Sequence, residues 1–210
     1  MTAPRTFFLD RDGTLNISPA PGRYVRSPDE LTLLPGVAAA IRTLNRTGRR
    51  VVVVTNQRGV ARGLMSLDDL AAVHERLTES LRAQGAFLDA VYACTHHEFA
   101  CRCRKPQPGL LQRAMADFPD IAPGDAVMIG DTESDVGAGR AAGTRTVLLA
   151  EPGRASAADL VAADLRAAVD VLLGDVSPGG TPSRGLPPGQ VRSGDVLPTS
   201  RDVLPKGERR

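Results

Sequence analysis

The fold is decided by Phe7-Phe8-Leu9-Asp10-Arg11-Asp12-Gly13-Thr14-Leu15-Asn16, near the amino terminus. The apolar half of this stretch predicts a short buried strand, and Gly13 predicts the loop that ends it. Asp10 and Asp12 are two residues apart, so on extended backbone their side chains point to the same side. Two carboxylates at the carboxyl edge of a sheet are suited to hold a hard cation and to take part in catalysis. The alternative is an acidic turn that caps the next element, because Asp and Asn favour turns.

Length and composition predict one well-buried domain followed by a tail. The chain has 210 residues, of which 42% are hydrophobic and 24% charged, with a net charge of +2, as is ordinary for a soluble globular protein. Aromatic residues make up 3% and Trp is absent, so small phosphorylated molecules fit better as partners than nucleic acid does. The sequence shows neither the apolar segment of a secretory signal nor a stretch long enough to cross a membrane. We therefore expect a cytoplasmic protein with no membrane partner.

Apolar strands alternate with amphipathic helices along the chain. The stretch Val51-Val52-Val53-Val54 is apolar on both faces, which is typical of a central parallel strand covered by helices on both sides. The predicted strands are 7–9, 51–54, 88–94, 126–129, 145–150 and 159–161, and the predicted helices are 37–44, 66–83, 108–118, 136–142 and 164–173. This alternation predicts an α/β fold with a doubly wound, mostly parallel, Rossmann-like sheet.

The predicted domain covers residues 1–174. The segment 18–29 contains three prolines and one glycine, which predicts an irregular loop too short to form a cap domain. Residues 175–210 are rich in Pro and Gly without apolar periodicity, which predicts a disordered tail. Within the tail, Asp195-Val196-Leu197-Pro198 recurs as Asp202-Val203-Leu204-Pro205, either as a docking motif or as low-complexity drift.

The predicted strands end in residues that could form one site. Parallel sheets bind ligands at the carboxyl ends of their strands, where Asp10, Thr55, Cys94 and Asp131 are all expected to lie. Taken singly, such residues have simpler explanations: Thr55 could be a helix N-cap, Lys105 a solvated surface residue and Asp135 the N-cap of its own helix. We expect them to act together instead, because all are predicted to lie where a single small active site would form.

The three cysteines lie within ten residues of one another and next to a histidine. Their odd number argues against a disulfide framework. Cys94 and His96 are two residues apart, as are Cys101 and Cys103, so each pair can face the same side of extended chain. We predict a structural Zn²⁺ site with these four ligands. The alternative is three reduced thiols beside a surface histidine, and His97 is not expected to be a ligand.

As a set, these motifs resemble those of the haloacid dehalogenase superfamily of phosphatases. The resemblance rests on Asp10 to Thr14, Thr55, Lys105 and the segment Gly130 to Asp135, in this order and each near a strand end. It implies a Mg²⁺-dependent phosphomonoester hydrolase in which Asp10 forms an aspartyl phosphate and Asp12 is acid and base. Thr55 and Lys105 would hold the phosphoryl oxygens. The Mg²⁺ ligands implied are Asp10, the main-chain carbonyl of Asp12 and Asp131, with Asp135 orienting the metal's water shell.

Within that superfamily, the zinc loop resembles the capless branch that contains the heptose-bisphosphate and histidinol-phosphate phosphatases. The segment from Asn56 to Gly63 looks more like the heptose-acting members, so a small phosphorylated sugar is the expected substrate, and histidinol phosphate or another small ester the alternative. A mutase would use the same aspartate but normally needs a cap, and a binding module would not need both carboxylates. We expect a monomer. The expected substrate-binding residues are Asn56, Gln57, Arg58, Arg62 and Arg104.

Overall fold

Seven parallel strands form one sheet in the computed structural model of the chain, which describes residues 2–174 and 192–193. The strand order is β6-β5-β4-β1-β2-β3-β7, which is the doubly wound arrangement predicted from the sequence. The strands are β1 (Thr6–Leu9), β2 (Arg50–Asn56), β3 (Ala90–Cys94), β4 (Ala126–Gly130), β5 (Arg145–Leu149), β6 (Leu160–Ala162) and β7 (Arg192–Ser193). The predicted disordered tail and its repeat lie outside the described residues, apart from β7, which the sequence did not predict.

Five helices cover the sheet within the described part of the chain. They are α1 (Val37–Arg46), α2 (Leu67–Arg82), α3 (Gly109–Asp117), α4 (Glu133–Ala141) and α5 (Leu165–Leu173). The predicted start of α4 was three residues late, because Thr132 takes the N-cap position and the acidic residues after it already belong to the first helical turn. No helix among the described residues is long and apolar enough to span a membrane.

The strand β1 lies at the centre of two hydrophobic layers. Phe7 and Leu9 pack on one side with residues of α1, α2 and α5, whereas Phe8 packs on the other side with residues of α3 and α4. All three side chains are fully buried, and each such burial contributes roughly 1.5–3 kcal/mol. The alternation of side chains along β1 therefore packs helices against both faces of the sheet, and ligands of such sheets bind at the carboxyl ends of the strands.

The strand order reverses between β1 and β4: β2 and β3 follow on one side of β1, and β4 to β6 on the other. The residues at the carboxyl edge lie at this reversal. The backbone N–H of Asp10 donates to the carbonyl of Ile129 (3.0 Å), and the N–H of Gln57 donates to the carbonyl of Cys94 (2.7 Å), so neighbouring strand ends stay in register. The loops at residues 10–36, 57–66 and 95–108 contain no helix beyond a single 3₁₀ turn at Pro28–Glu30. The described part of the chain accordingly places no cap domain over this edge, as predicted.

Candidate active site

Three carboxylates and one ammonium meet at the carboxyl edge. Carboxylate oxygens of Asp10, Asp131 and Asp135 all lie within 4.8 Å of one another. The Lys105 ammonium is buried among them, 2.7 Å from Asp10 Oδ1 and 2.6 Å from Asp135 Oδ1, and it also donates to the carbonyl of Val54 at 2.8 Å. Lys105 is therefore not a solvated surface residue, because its ammonium is buried and pairs with two carboxylates and one backbone carbonyl inside the protein.

The charges of this cluster do not balance. Burial, together with the nearby Asp135 carboxylate, raises the pKa of Asp10 to about 7, although Lys105 opposes the shift. Burial and Asp135 likewise raise the pKa of Asp131 to about 6. Asp131 Oδ1 is buried and has no hydrogen-bond partner. Three carboxylates beside one ammonium, with an unpartnered oxygen among them, fit a divalent cation with oxygen ligands such as Mg²⁺.

Glycines make room for the carboxylates of the cluster. Gly13 has a φ of +84°, and a Cβ atom at this position would overlap the carboxylate of Asp131. A Cβ atom at Gly130 would overlap the carboxylate of Asp135 in the same way. Asp135 also accepts hydrogen bonds from the backbone N–H and the hydroxyl of Thr132, at 3.1 and 2.6 Å. It is thus in the first turn of α4 rather than at the N-cap, and one carboxylate serves both the helix and the cluster.

Asp12 is oriented by three neighbouring side chains. Arg11 donates to both of its oxygens at 2.9–3.2 Å, Asn16 donates to Oδ1 at 2.9 Å, and Gln57 donates to Oδ2 at 2.9 Å. The carboxylate of Asp12 is therefore held by these side chains and is not part of the cluster formed by Asp10, Asp131 and Asp135. Arg11 and Asn16 were not predicted to have a role, although both lie within the stretch from Phe7 to Asn16.

The two residues after Thr55 support its neighbours. The Asn56 amide accepts from the backbone N–H of Lys105 at 3.1 Å and donates to the Lys105 carbonyl at 3.0 Å. The amide N–H₂ group of Gln57, which is fully buried, donates to the Thr55 hydroxyl at 2.9 Å as well as to Asp12. Thr55 itself lies in β2 and is not a helix cap. The side chains of Asn56 and Gln57, which we expected to bind substrate, thus make contacts within the site.

The predicted zinc ligands come together in the loop after β3. The sulfur of Cys94 is 3.6 Å from His96 Nδ1 and 3.6 Å from the sulfur of Cys101, and the sulfur of Cys103 is 3.3 Å from His96 Nδ1 and 3.2 Å from that of Cys101. The edges of a tetrahedron around Zn²⁺ with thiolate ligands are about 3.8 Å. The hydrogen bond between Cys94 and Cys103 lowers the pKa of Cys94 and raises that of Cys103, so that Cys94 is the thiolate of the pair. The donors and their spacing fit a zinc ion.

Basic side chains from two loops meet around a single carboxylate. Arg58 contacts the Glu98 carboxylate, and Arg104 Nη2 lies 3.8 Å from the same oxygen. Arg58 also donates to the phenol of Tyr24 at 3.4 Å. Although partial burial opposes the shift, hydrogen bonds with Arg58 and Arg62 lower the pKa of Tyr24. The three arginines predicted to bind substrate therefore belong to one cationic group, which we call the arginine cluster.

The carboxyl-terminal part of the chain matches a family model described as HAD-hydrolase-like, over residues 102–174. One relative, the D-glycero-beta-D-manno-heptose-1,7-bisphosphate 7-phosphatase of Rhodopseudomonas palustris, is 42% identical over 152 residues, covering 68% of this chain and 82% of the relative. The D-glycero-alpha-D-manno-heptose-1,7-bisphosphate 7-phosphatase of Mycobacterium tuberculosis H37Rv is 41% identical over 130 residues, covering 61% of this chain and 68% of the relative.

Two solved structures resemble the chain over most of its length. The D,D-heptose 1,7-bisphosphate phosphatase from B. bronchiseptica, crystallised with magnesium and phosphate, has a TM-score of 0.72 at 34% identity, covering 80% of this chain and 98% of its own. A putative HAD-like phosphatase from Mesorhizobium loti has a TM-score of 0.67 at 36% identity, covering 84% of this chain and 91% of its own.

Proposed function

We propose a function from one premise: the chain belongs to the haloacid dehalogenase-like hydrolases, in the group that contains the heptose-1,7-bisphosphate 7-phosphatases. It is a phosphatase, and its substrate is D-glycero-D-manno-heptose 1,7-bisphosphate, from which it removes the 7-phosphate. The observation that carries the proposal is the cluster of Asp10, Asp131 and Asp135 around the Lys105 ammonium. A nucleophilic carboxylate can approach a dianionic phosphate ester only where cations cancel the repulsion between them.

The proposed reaction has two steps, and Asp10 and Asp12 act in both. Asp10 attacks phosphorus and forms an aspartyl phosphate, while Asp12 gives its proton to the departing sugar oxygen. In the second step, Asp12 takes a proton from water, whose oxygen attacks the same phosphorus and releases Asp10 and inorganic phosphate. Lys105 and the hydroxyl of Thr55 stabilise the phosphoryl oxygens, on which negative charge accumulates. The contacts of Asp12 with Gln57 and of Lys105 with Asn56 support this division, because they fix each group before substrate arrives.

Two metals complete the proposed enzyme. Asp10, Asp131 and the main chain of Asp12 would hold Mg²⁺, with Asp135 beside it, and the bound ion would neutralise charge on the transferring phosphoryl group. Cys94, His96, Cys101 and Cys103 would hold a structural Zn²⁺ with no open position. The zinc loop runs directly into Arg104 and Lys105, so a zinc ion there would fix the segment that carries both cations.

The arginine cluster is the feature that favours a bisphosphate. Arg58, Arg62 and Arg104 offer planar donor groups that match the geometry of a phosphate. Among the described residues no cap encloses the far end of a substrate, so loop residues of this kind must recognise it. Histidinol phosphate, the alternative substrate, has an amine where the heptose has its second phosphate, and repulsion from the arginines would disfavour it.

We further propose that the enzyme works as a cytoplasmic monomer.

Phosphate release from a small set of substrates tests the proposal. The set comprises the α and β anomers of heptose 1,7-bisphosphate, histidinol phosphate and p-nitrophenyl phosphate, each assayed with Mg²⁺. We expect the highest kcat/KM for one heptose anomer, with ³¹P NMR showing loss of the 7-phosphate and retention of the 1-phosphate. Asp10→Asn prepared in parallel controls for contaminating phosphatases. Faster turnover of histidinol phosphate than of either anomer would overturn the substrate assignment.

A further inference from the structure

A fully buried arginine connects the active site to helix α2. The side chain of Arg11 has no exposed surface, and burying a guanidinium is costly unless its donors are paired. Its Nε and Nη2 atoms donate to both oxygens of Asp12. On its other side, Nη1 lies 3.2 Å from Nε2 of His74. Asn16 and Gln57 each hold one oxygen of Asp12, so among the described hydrogen bonds only those of Arg11 reach both.

The chemistry of the two groups fixes the direction of the hydrogen bond to His74. A guanidinium has donors and no acceptor, so Nε2 of His74 must accept and the ring proton must lie on Nδ1. Burial, assisted by the positive charge of Arg11, lowers the pKa of His74 to about 3. The ring is therefore neutral at neutral pH and remains able to accept.

Helix α2, which carries His74, is held in place by an N-terminal cap and by a buried face. Ser66 caps it, with Ser66 Oγ accepting from the backbone N–H of Asp69 at 3.0 Å, and Leu70, Val73 and Leu77 bury one face of the helix in the core. His74 follows Val73 and so is attached to a packed segment rather than to a loop. The Arg11 guanidinium is consequently held between a helix and a catalytic carboxylate.

We propose that His74 is a positioning residue for the phosphatase reaction: by accepting from Arg11 it fixes the guanidinium, and the guanidinium fixes the orientation of Asp12. The inference rests on the proposed role of Asp12 as acid and base. Loss of the acceptor leaves Nη1 buried without a partner, so that the guanidinium reorients and Asp12 is less well aligned with the oxygen that it protonates. An alkyl leaving group needs that proton as the ester bond breaks, whereas a p-nitrophenolate departs without it.

Two substitutions at His74 distinguish a positioning role from a general loss of structure. Phe fills the space of the ring without an acceptor, and Gln restores an acceptor near the position of Nε2. We expect His74→Phe to lower kcat/KM for heptose 1,7-bisphosphate by about tenfold, a fraction of the full contribution of a general acid, and to change kcat/KM for p-nitrophenyl phosphate by less than about twofold. His74→Gln should recover most of the loss. Thr78→Val, on the next turn of α2, removes a hydroxyl bonded to the His74 carbonyl and should affect both substrates equally.

Three outcomes would overturn the inference: equal losses on both substrates for His74→Phe, no loss on either, or no recovery with His74→Gln. Asp12→Asn assayed beside them separates this failure from that of the proposed function. If Asp12→Asn is slow on the heptose substrate and His74→Phe is not, only the inference fails, whereas an unchanged Asp12→Asn removes the role of Asp12 itself. Should His74→Phe not fold, ¹⁵N NMR of the wild-type imidazole at neutral pH decides: an unprotonated Nε2 with a proton on Nδ1 supports the contact, and a protonated Nε2 refutes it.

Discussion

Exchange of Asp10 for Asn should change how the stability of the Mg²⁺-free protein depends on pH. The folded state raises the pKa of Asp10 from 3.8 to about 7, so between these values the folded protein holds a proton that the unfolded chain has released. Stability then falls as pH rises, because the folded state binds more protons than the unfolded state does. The contribution is fully present below the unfolded pKa and is lost as pH rises through the folded pKa. Asparagine does not titrate, so the variant lacks this term.

The expected magnitude follows from the size of the shift. One pKa unit corresponds to about 1.4 kcal/mol, so the full penalty on ionised Asp10 is about 4 kcal/mol. Between about pH 4.5 and pH 7.5, about 3 kcal/mol of this should develop, because part of the change occurs below that window. His74, with a pKa lowered to about 3, acts in the opposite direction in the same window, since its neutral folded form is favoured as pH rises. This term is common to both proteins and cancels in their difference.

Urea unfolding followed by circular dichroism measures the difference. The chain has no Trp, so ellipticity is a better signal than fluorescence, and gel filtration into metal-free buffer removes loosely held Mg²⁺ without a chelator that would strip zinc. The unfolding free energy of wild type minus that of Asp10→Asn should fall by about 3 kcal/mol across the window. Saturating Mg²⁺ should abolish the fall, because the ion binds the ionised carboxylates. A difference that is constant or that increases with pH would refute the argument that burial raises the pKa of Asp10.

Three further predictions concern activity and metal content. Asp10→Asn should fold yet lose at least about three orders of magnitude in turnover, because an amide is a poor nucleophile; near-normal phosphate release would remove Asp10 from its role. Elemental analysis should find about one Zn²⁺ per chain, and Cys103→Ser should lose it and speed hydrogen exchange around Lys105; purified wild type without zinc would contradict this. Arg104→Ala should lower kcat/KM for the bisphosphate by an amount that corresponds to a loss of roughly 1–3 kcal/mol in transition-state stabilisation. It should barely change kcat/KM for p-nitrophenyl phosphate. Exposed Arg113→Ala is the matched control, and equal losses of Arg104→Ala on both substrates would place Arg104 at the reacting phosphate.

Sequence patterns predicted the parts of the site that depend on strand order. Asp10, Thr55 and Asp131 each follow or end an apolar run, and in a parallel sheet such positions must share an edge. The grouping of Cys94, His96, Cys101 and Cys103 was predictable for a similar reason, since their alternating spacing brings two pairs of donors together with little dependence on the rest of the fold.

Contacts between loops and helices distant in sequence were not predictable in the same way. Asn56 and Gln57 were expected to bind substrate because they begin the segment that resembles the heptose-acting members, yet their amides bond to groups 49 and 45 residues away, on Lys105 and Asp12. His74 meets Arg11 across 63 residues, and its helical pattern gave no indication that its ring faces the active site. Such contacts depend on how a helix is rotated and how a loop is packed, which local periodicity does not determine.

The pairing of the Asn56 amide with the backbone of Lys105 bears on how this enzyme could diversify. The position of the ammonium is set from a neighbouring strand end rather than solely from the loop that carries it, since both the N–H and the carbonyl of Lys105 are held by Asn56. We therefore expect that residues between His96 and Cys101 can be exchanged, lengthened or shortened while the Lys105 ammonium stays in place. Variation there would alter which molecules are accepted without altering the chemistry performed on them, so substrate range and catalytic power can evolve independently.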